Sequence, residues 1–220
     1  MSFIVTEVDH PIVKDALAHM RSVETPNANF RAHLDRLGII LLAEATKSLP
    51  TRSTRVTTPL AETTQDVIAE VPLVVPILRA GLGFVTSVHH VLDDADLGFV
   101  GVTRNETTFE PELYTDKLPA DIGHRPVIIV DPMLATGGSL NHVIDLIANR
   151  QVTGTITVVC AIAAPEGIEA VRSHVDDRWD IHIVTGSIDS HLNENAYIVP
   201  GLGDAGDRLF GTPRNSSEAN

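Results

Sequence analysis

The stretch "VIIVDPMLATGGSL" (residues 127–140) decides the fold of this chain. An apolar run (127–130) ends at Asp131, and after a short connection "TGGS" (136–139) opens a segment with helical periodicity. A strand, a glycine-rich turn and a helix in this order are typical of an α/β protein with a parallel sheet. We therefore expect Asp131 at the carboxyl end of a central strand, where open α/β sheets place ligand-binding residues.

The same alternation of strand and helix recurs along the chain. Apolar runs at 71–78, 126–131 and 155–164 predict strands that are buried on both faces, and 97–104 and 179–186 are further candidate strands. Helices are predicted over 83–94, 139–150 and 166–175. The fold class is therefore α/β, a central and mostly parallel sheet flanked by helices. We expect a single domain over 1–212 and a frayed tail over 213–220.

Two other regions carry structural expectations. Amphipathic helices are predicted over 9–22 and 27–49, and the apolar patch "LGIILLAEA" (37–45) of the second either covers the sheet or forms a subunit interface. The polar segment 105–126 is long for a structureless connection in a compact domain. We expect it to form a functional flap or hairpin.

Composition restricts the possible partners. The chain of 220 residues has 16 basic and 29 acidic side chains and a net charge of −13, so it would repel RNA or DNA at long range. The single cysteine, Cys160, lies in an apolar run and is expected to be a buried thiol outside any intramolecular disulfide. The amino terminus lacks the pattern of a signal peptide, and no run of 18 apolar residues occurs. We expect a cytoplasmic protein with small-molecule partners, no nucleic acid and no membrane.

The glycine-rich turn has the chemistry of a phosphate site. Gly137 and Gly138 let backbone N–H groups converge, Thr136 and Ser139 add hydroxyl donors, and the amino end of a helix favours an anion. The segment is not a P-loop, because it lacks the G-x-x-x-x-G-K-[ST] pattern. The carboxylate of Asp131 suits the vicinal hydroxyls of a ribose. A capped helix after a plain turn, without a ligand, explains the segment equally well when it is taken alone.

Arg79 lies in a second candidate site, "ILRAGLG" (77–83). It follows a predicted buried strand and precedes the small residues Ala80 and Gly81, which permit a ligand to approach the backbone closely. A guanidinium in this place can bind the oxygens of a pyrophosphate in a fork. The alternative is an arginine that pairs with a surface acid.

Taken together, these motifs resemble a known family. An apolar strand, Asp131 and "ATGGS" (135–139) resemble the loop that binds phosphoribosyl pyrophosphate (PRPP) in type I phosphoribosyltransferases, and the proline after Asp131 is similar to the uracil phosphoribosyltransferase branch. The resemblance continues through 74–84, 104–119, 163–168 and 197–212. It implies a type I phosphoribosyltransferase-like fold with a flap and a C-terminal base-binding hood. The implied activity is transfer of 5-phosphoribosyl from PRPP to uracil, giving UMP and pyrophosphate.

The resemblance also implies roles for individual residues. Asp131, Arg79 and Arg104 would be the catalytic residues. The implied PRPP-binding residues are Arg79, Arg104, Asp131, Pro132, Met133, Leu134, Ala135, Thr136, Gly137, Gly138, Ser139 and Asp204. The implied uracil-binding residues are Ile198, Gly203, Asp204 and Ala205. Mg²⁺ would be bound mainly through PRPP rather than by a carboxylate cage. The family suggests GTP as a possible activator and a dimer or tetramer.

Other interpretations are less favoured by the spacing of residues. Gly201, Gly203 and Gly206 match the dinucleotide-binding G-x-G-x-x-G, but only 14 residues follow Gly206, too few for the rest of such a unit. Ten histidines do not have the spacing of a metal site. Two rival functions remain open, an RNA-binding regulator on the same fold and a phosphoribosyltransferase for another base, such as a purine.

Overall fold

Strands and helices alternate along most of the chain. The computed structural model describes residues 2–104, 111–175 and 179–211, without the side chains of Arg104 and Pro111. The tail expected at 213–220 lies outside the described residues. The strands are β1 (Phe3–Glu7), β2 (Thr51–Thr57), β3 (Glu62–Ile68), β4 (Leu73–Leu78), β5 (Asp96–Leu97), β6 (Phe99–Arg104), β7 (Pro111–Lys117), β8 (Val127–Val130), β9 (Met133–Leu134), β10 (Ile156–Cys160), β11 (Ile162–Ala163), β12 (Ile181–Thr185), β13 (His191–Leu192) and β14 (Ile198–Val199). The helices are α1 (Pro11–Arg21), α2 (Asn27–Ala45), α3 (Val85–Val91), α4 (Gly138–Ala148), α5 (Pro165–Val175) and α6 (Ala205–Phe210), with a 3-10 helix at Ala80–Phe84.

A mostly parallel sheet lies at the centre of the protein. Its strands follow the order β1-β12-β10-β8-β4-β6-β7, and β5 pairs with the start of β4. Within this sheet the pair β6 and β7 is antiparallel, and the other pairs are parallel. The predicted fold class is confirmed.

The central strands are apolar throughout because helices cover both faces of the sheet. In β8, Ile128 and Val130 belong to a core cluster with residues of α1, α2, α3 and α6. Val127 and Ile129 point to the opposite face and belong to a cluster with residues of α4 and α5. A strand with two buried faces shows no polar alternation, which is the pattern seen in the sequence.

The apolar patch of α2 covers the sheet. Leu37, Leu41 and Leu42 are completely buried, and they join the same core cluster as Val159 of β10 and Val184 of β12. The first of the two alternatives therefore accounts for Leu37, Leu41 and Leu42, whereas Ile39 and Ile40 of the patch are only half-buried and the subunit interface stays a prediction.

Two predicted elements differ from those observed. The run 155–164 is divided, because the N–H groups of Ala161 and Ile162 both donate to the carbonyl of Pro132, and the chain leaves the main sheet to pair β11 with β9. The helix predicted over 83–94 ends at Val91, because Leu92 adopts a φ of −134° that is incompatible with a helix. Its predicted first residues, 83 and 84, belong instead to the 3-10 helix that precedes α3.

Some elements were not predicted, among them β1 and the hairpin of β2 and β3. The strand β1 adds to the edge of the sheet beside β12. An antiparallel hairpin of β2 and β3 is exposed over most of its length, and Leu60 at its turn is 97% exposed. Among the described helices, none has the length and apolar content that a membrane crossing requires.

Candidate active site

The loop between β8 and α4 encloses a small pocket of about 90 Å³, which we call the phosphate pocket. The helix begins at Gly138 without a side-chain cap, and Gly137 before it has a φ of 81°. An L-residue is strained at that φ, and its Cβ would lie 3.0 Å from the carbonyl oxygen of Gly167. The N–H groups of a first helical turn have no partners within the helix, and the helix dipole favours an anion beside them. The pocket therefore suits a phosphate group.

Most of the sequence-predicted PRPP segment lines this pocket. The lining includes Asp131, Met133, Leu134, Ala135, Thr136, Gly137, Gly138 and Ser139. Pro132 is buried, and its carbonyl accepts the N–H groups of Ala161 and Ile162 at 2.9 and 3.1 Å. In this structure Pro132 therefore holds the loop against β11 rather than facing the pocket.

Asp131 lies where β8 ends, and its own N–H donates to the carbonyl of Val159 at 3.1 Å. Its surroundings shield the carboxyl group from water and raise its pKa to about 7, although a hydrogen bond from the N–H of Met133 acts in the opposite direction. Near neutral pH the side chain therefore exists in both protonation states. Perturbed carboxyl groups in clefts are characteristic of functional sites.

Cys160 also lines the phosphate pocket and is completely buried. Burial raises the pKa of its thiol to about 12, against the effect of a hydrogen bond with Thr185. The thiol is therefore protonated at physiological pH and is a poor nucleophile. The expectation of a buried free cysteine is confirmed.

A second, wide pocket of about 590 Å³ adjoins the first and shares Asp131 and Met133 with it. Four separate segments of sequence meet there. Its lining residues are Leu78, Arg79, Ala80, Val102, Thr103, Tyr114, Asp131, Met133, Asp204, Ala205 and Gly206. One cavity is thus surrounded by Arg79 with its neighbours, the β6–β7 hairpin, the residues after β8 and the C-terminal segment (197–211). The described lining of the two pockets does not include Pro132, Ile198 or Gly203.

Arg79 follows β4 and projects into the wide pocket with its side chain 56% exposed. Its Nη2 lies 3.9 Å from Oδ1 of Asp207, a separation at which the pair contributes little. The guanidinium is therefore available to an anionic ligand. Gly81 has a different role from the one predicted: a Cβ there would lie 2.6 Å from the carbonyl oxygen of Val130, so the small side chain allows the protein's own backbone to pack.

The polar segment after β6 forms part of a hairpin, as predicted, since β6 and β7 pair antiparallel. Arg104 is the last residue of β6, and its side chain lies outside the described residues. Sequence reasoning missed Tyr114 of β7, which lines the wide pocket. Its ring lies over Gly101, where an added Cβ would come within 2.4 Å of the ring. An aromatic residue in a polar segment was the available signal.

The C-terminal segment places its predicted residues at different depths. Ile198 in β14 is buried and pairs with Leu192 of β13. Gly203 is exposed with a φ of 83°, and the side chain of Asp204 caps α6 by accepting the N–H of Asp207 at 2.8 Å. Asp204 and Ala205 line the wide pocket. Of the predicted uracil-binding residues, Asp204 and Ala205 therefore line the wide pocket, and Ile198 and Gly203 do not.

Comparison with known proteins shows the family of the chain. The sequence model of the uracil phosphoribosyltransferase family matches residues 7–212. The chain belongs to this family. The uracil phosphoribosyltransferase of Leifsonia xyli subsp. xyli is 46% identical over 205 residues, which cover 93% of this chain and 97% of that protein. The uracil phosphoribosyltransferase of Corynebacterium diphtheriae is 47% identical over 208 residues, covering 94% and 96% of the two chains.

A solved structure is also similar over nearly the whole chain. The AQ2163 protein from Aquifex aeolicus superposes with a TM-score of 0.89 at 35% identity, covering 96% of this chain and 100% of that chain. Both pockets therefore lie within the part of the chain that matches the uracil phosphoribosyltransferase family.

Proposed function

We propose that this protein transfers the 5-phosphoribosyl group of PRPP to N1 of uracil, giving UMP and pyrophosphate. The observation that carries the proposal is the meeting of two pockets at Asp131. One pocket suits a phosphate, and the other is lined by Arg79 and by Asp204, Ala205 and Gly206 of the C-terminal segment. A phosphorylated sugar placed across Asp131 has its 5-phosphate in the first pocket and its anomeric carbon in the second.

Each part of PRPP then has a partner. The first turn of α4 holds the 5-phosphate, and Thr136 and Ser139 add hydroxyl donors. Ionised Asp131 accepts hydrogen bonds from the ribose hydroxyls. Arg79 binds the pyrophosphate. Arg104 is assigned to the same group because it lies at the end of β6.

The base is recognised by peptide groups. Uracil presents an acceptor, a donor and an acceptor at O4, N3–H and O2, which main-chain N–H and C=O groups can match without a charged side chain. Asp204 and Ala205 line the wide pocket, and Gly203 and Ile198 belong to the same segment. Cytosine reverses two of these groups, so it would leave polar groups of the site unpaired.

The displacement itself requires no protein nucleophile. The bond from the anomeric carbon to the pyrophosphate oxygen breaks, and its electron pair leaves with the pyrophosphate, while the bond to N1 of uracil forms and the proton of N1 passes to the released pyrophosphate or to water. The residues act by holding the two reactants in line and by stabilising charge on the leaving group.

The residues present fit a Mg²⁺ ion that arrives with its substrate. In the described ranges 2–104, 111–175 and 179–211, no group of three or more His, Cys, Asp or Glu side chains could hold a metal. The carboxylates of Asp131 and Asp204 in the pocket wall can bind its water molecules. When bound to pyrophosphate oxygens, Mg²⁺ supplies charge neutralisation.

Pyrophosphate release from PRPP tests the function directly. We expect release with uracil, and only background release with cytosine, hypoxanthine or no base. Release with hypoxanthine instead of uracil would favour the purine alternative. The activation by GTP, the dimer or tetramer and the cytoplasmic location implied by the family remain predictions.

The raised pKa of Asp131 predicts a pH dependence. Because the ionised form accepts the ribose hydroxyls, kcat/KM for PRPP should fall below pH 7 and reach a plateau above it. With a pKa of about 7, the ionised fraction falls about fivefold between pH 7 and pH 6. The measurement is the pH profile of kcat/KM between pH 5.5 and 8.5 at saturating uracil. A flat profile would contradict the assignment.

A further inference from the structure

Arg21 and Asp189 form a two-pronged ion pair beneath the C-terminal segment. Nη1 of Arg21 lies 2.7 Å from Oδ2 of Asp189, and Nη2 lies 2.6 Å from Oδ1. The side chain of Asp189 is only 2% exposed. Enclosing a carboxylate in this way is costly unless its partners satisfy it fully. The two residues therefore depend on each other.

The same pair binds both polar groups of Gly201. The N–H of Gly201 donates to Oδ2 of Asp189 at 2.9 Å, and its carbonyl accepts from Nη1 of Arg21 at 2.7 Å. Ser187 supplies a further donor, its Oγ lying 3.0 Å from Oδ1 of Asp189. These bonds use both carboxylate oxygens twice. We call Arg21, Asp189 and Gly201 the Gly201 clamp.

The clamp is charged throughout the neutral pH range. Burial alone would raise the pKa of Asp189, but the hydrogen bonds from Arg21 and Gly201 outweigh it and hold the pKa below its ordinary value. The hydrogen bonds to Gly201 are therefore charge-assisted, which makes them stronger and shorter than neutral ones.

A second arginine fixes the next peptide group. Nη1 of Arg208 donates to the carbonyl of Leu202 at 3.0 Å, and Nη2 donates to the carbonyl of Ser22 at 2.8 Å. Ser22 follows the last residue of α1, so both Gly201 and Leu202 are fastened to the end of that helix. The chain becomes exposed at once after Leu202, and from Asp204 onwards it lines the wide pocket.

We infer that Arg21 and Asp189 are positioning residues for base recognition. They hold Gly201 so that the peptide groups two to four residues further on meet the edge of the pyrimidine at a fixed spacing. The inference rests on the proposed function, because it requires this segment to bind the base. Hydrogen bonds weaken steeply when their angles are distorted. When Gly201 is held less firmly, the peptide groups that follow it meet the base at poorer angles. The affinity for the base then falls, although Arg21 and Asp189 do not contact the substrate.

The test compares two ligands that share the phosphate pocket. UMP and ribose 5-phosphate carry the same sugar phosphate, but only UMP carries the base. In Asp189→Asn, an amide replaces one oxygen that accepts hydrogen bonds. We expect UMP to bind about tenfold more weakly by calorimetry, the affinity for ribose 5-phosphate to stay within about twofold, and the KM for uracil to rise with little change in the KM for PRPP.

Matched variants separate positioning from simple stabilisation. Ser187→Ala removes a donor to the same carboxylate but leaves Gly201 bound, and it should keep the affinity for UMP within about twofold. Arg21→Lys keeps the positive charge but cannot form two parallel hydrogen bonds with the carboxylate of Asp189. It should therefore show the UMP-selective loss, even if Asp189→Asn does not fold. Equal losses for both ligands, or no loss for UMP, would overturn the inference. Wild-type protein that releases no pyrophosphate with uracil would instead overturn the proposed function.

Discussion

We expect Asp131→Asn to lower kcat for UMP formation by about 100-fold or more, because a neutral amide cannot replace two charge-assisted hydrogen bonds to the ribose as charge develops on the sugar. The substitution is nearly isosteric, so the fold should be retained. Initial rates of pyrophosphate release, together with circular dichroism, check both statements. Asp96→Asn is a matched control. Asp96 pairs with Arg125 at 2.9 Å beside the start of β4, whereas Asp131 follows the carboxyl end of β8. The rate of this control should equal that of the wild type.

The same substitution should stabilise the protein without ligand. The pKa of Asp131 is about 7 in the folded chain and 3.8 in a model peptide, so the folded state binds the proton more tightly than the unfolded state. Stability from this group is therefore present at low pH and is lost as the pH rises from about 4 to about 7. At pH 8 we expect Asp131→Asn to unfold in urea with a free energy roughly 1 to 3 kcal/mol above that of the wild type, a difference that shrinks towards pH 4. A less stable variant at pH 8 would contradict this account.

Arg79→Gln should lower kcat/KM for PRPP by a factor of about 10² to 10³, the usual effect of removing a donor from a developing anion. Arg79 is more than half exposed and only distantly paired with Asp207, so its loss should leave stability nearly unchanged. Steady-state kinetics with varied PRPP, and a thermal melt, measure the two effects.

Two further variants test whether the effect is specific to the guanidinium group of Arg79. Arg79→Lys keeps the positive charge but cannot make the two parallel hydrogen bonds of a guanidinium group. It should therefore retain more activity than Arg79→Gln and less than the wild type. Arg36→Gln removes another exposed arginine, which lies on α2 and pairs with Asp15 at 2.8 Å, and should leave kcat/KM unchanged. If Arg79→Gln retained wild-type kcat/KM, Arg79 would be removed from the pyrophosphate site.

The sequence predicts the features that depend on local pattern. The apolar runs of β4, β8 and β10 show no polar alternation because both faces are buried, so the order of residues by itself indicates a parallel sheet. Asp131 and the glycine-rich turn follow one of these strands directly and line the same pocket, and the binding of a phosphate there stays a prediction.

Features that depend on long-range contacts could not be predicted in this way. The strand β1 is stabilised by β12, which lies about 180 residues away, and its five residues carry little periodic signal. The hairpin of β2 and β3 is polar and exposed, so hydrophobic spacing does not mark it, although Thr58 closes its turn by accepting the N–H groups of Leu60 and Ala61. The ion pair of Arg21 with Asp189 joins residues 168 positions apart, and nothing in either local sequence indicates it.

The fastening of the C-terminal segment to α1 has a consequence for biosynthesis. Arg21 meets Gly201 across 180 residues, and Arg31 donates to the carbonyl of Leu209 across 178. A nascent chain on the ribosome can build β4, β8 and the first turn of α4 long before these contacts exist, and contacts so distant in sequence form late. A growing polypeptide can therefore form the loop between β8 and α4 well before Gly201 and Leu209 have been translated and can contact α1 and α2.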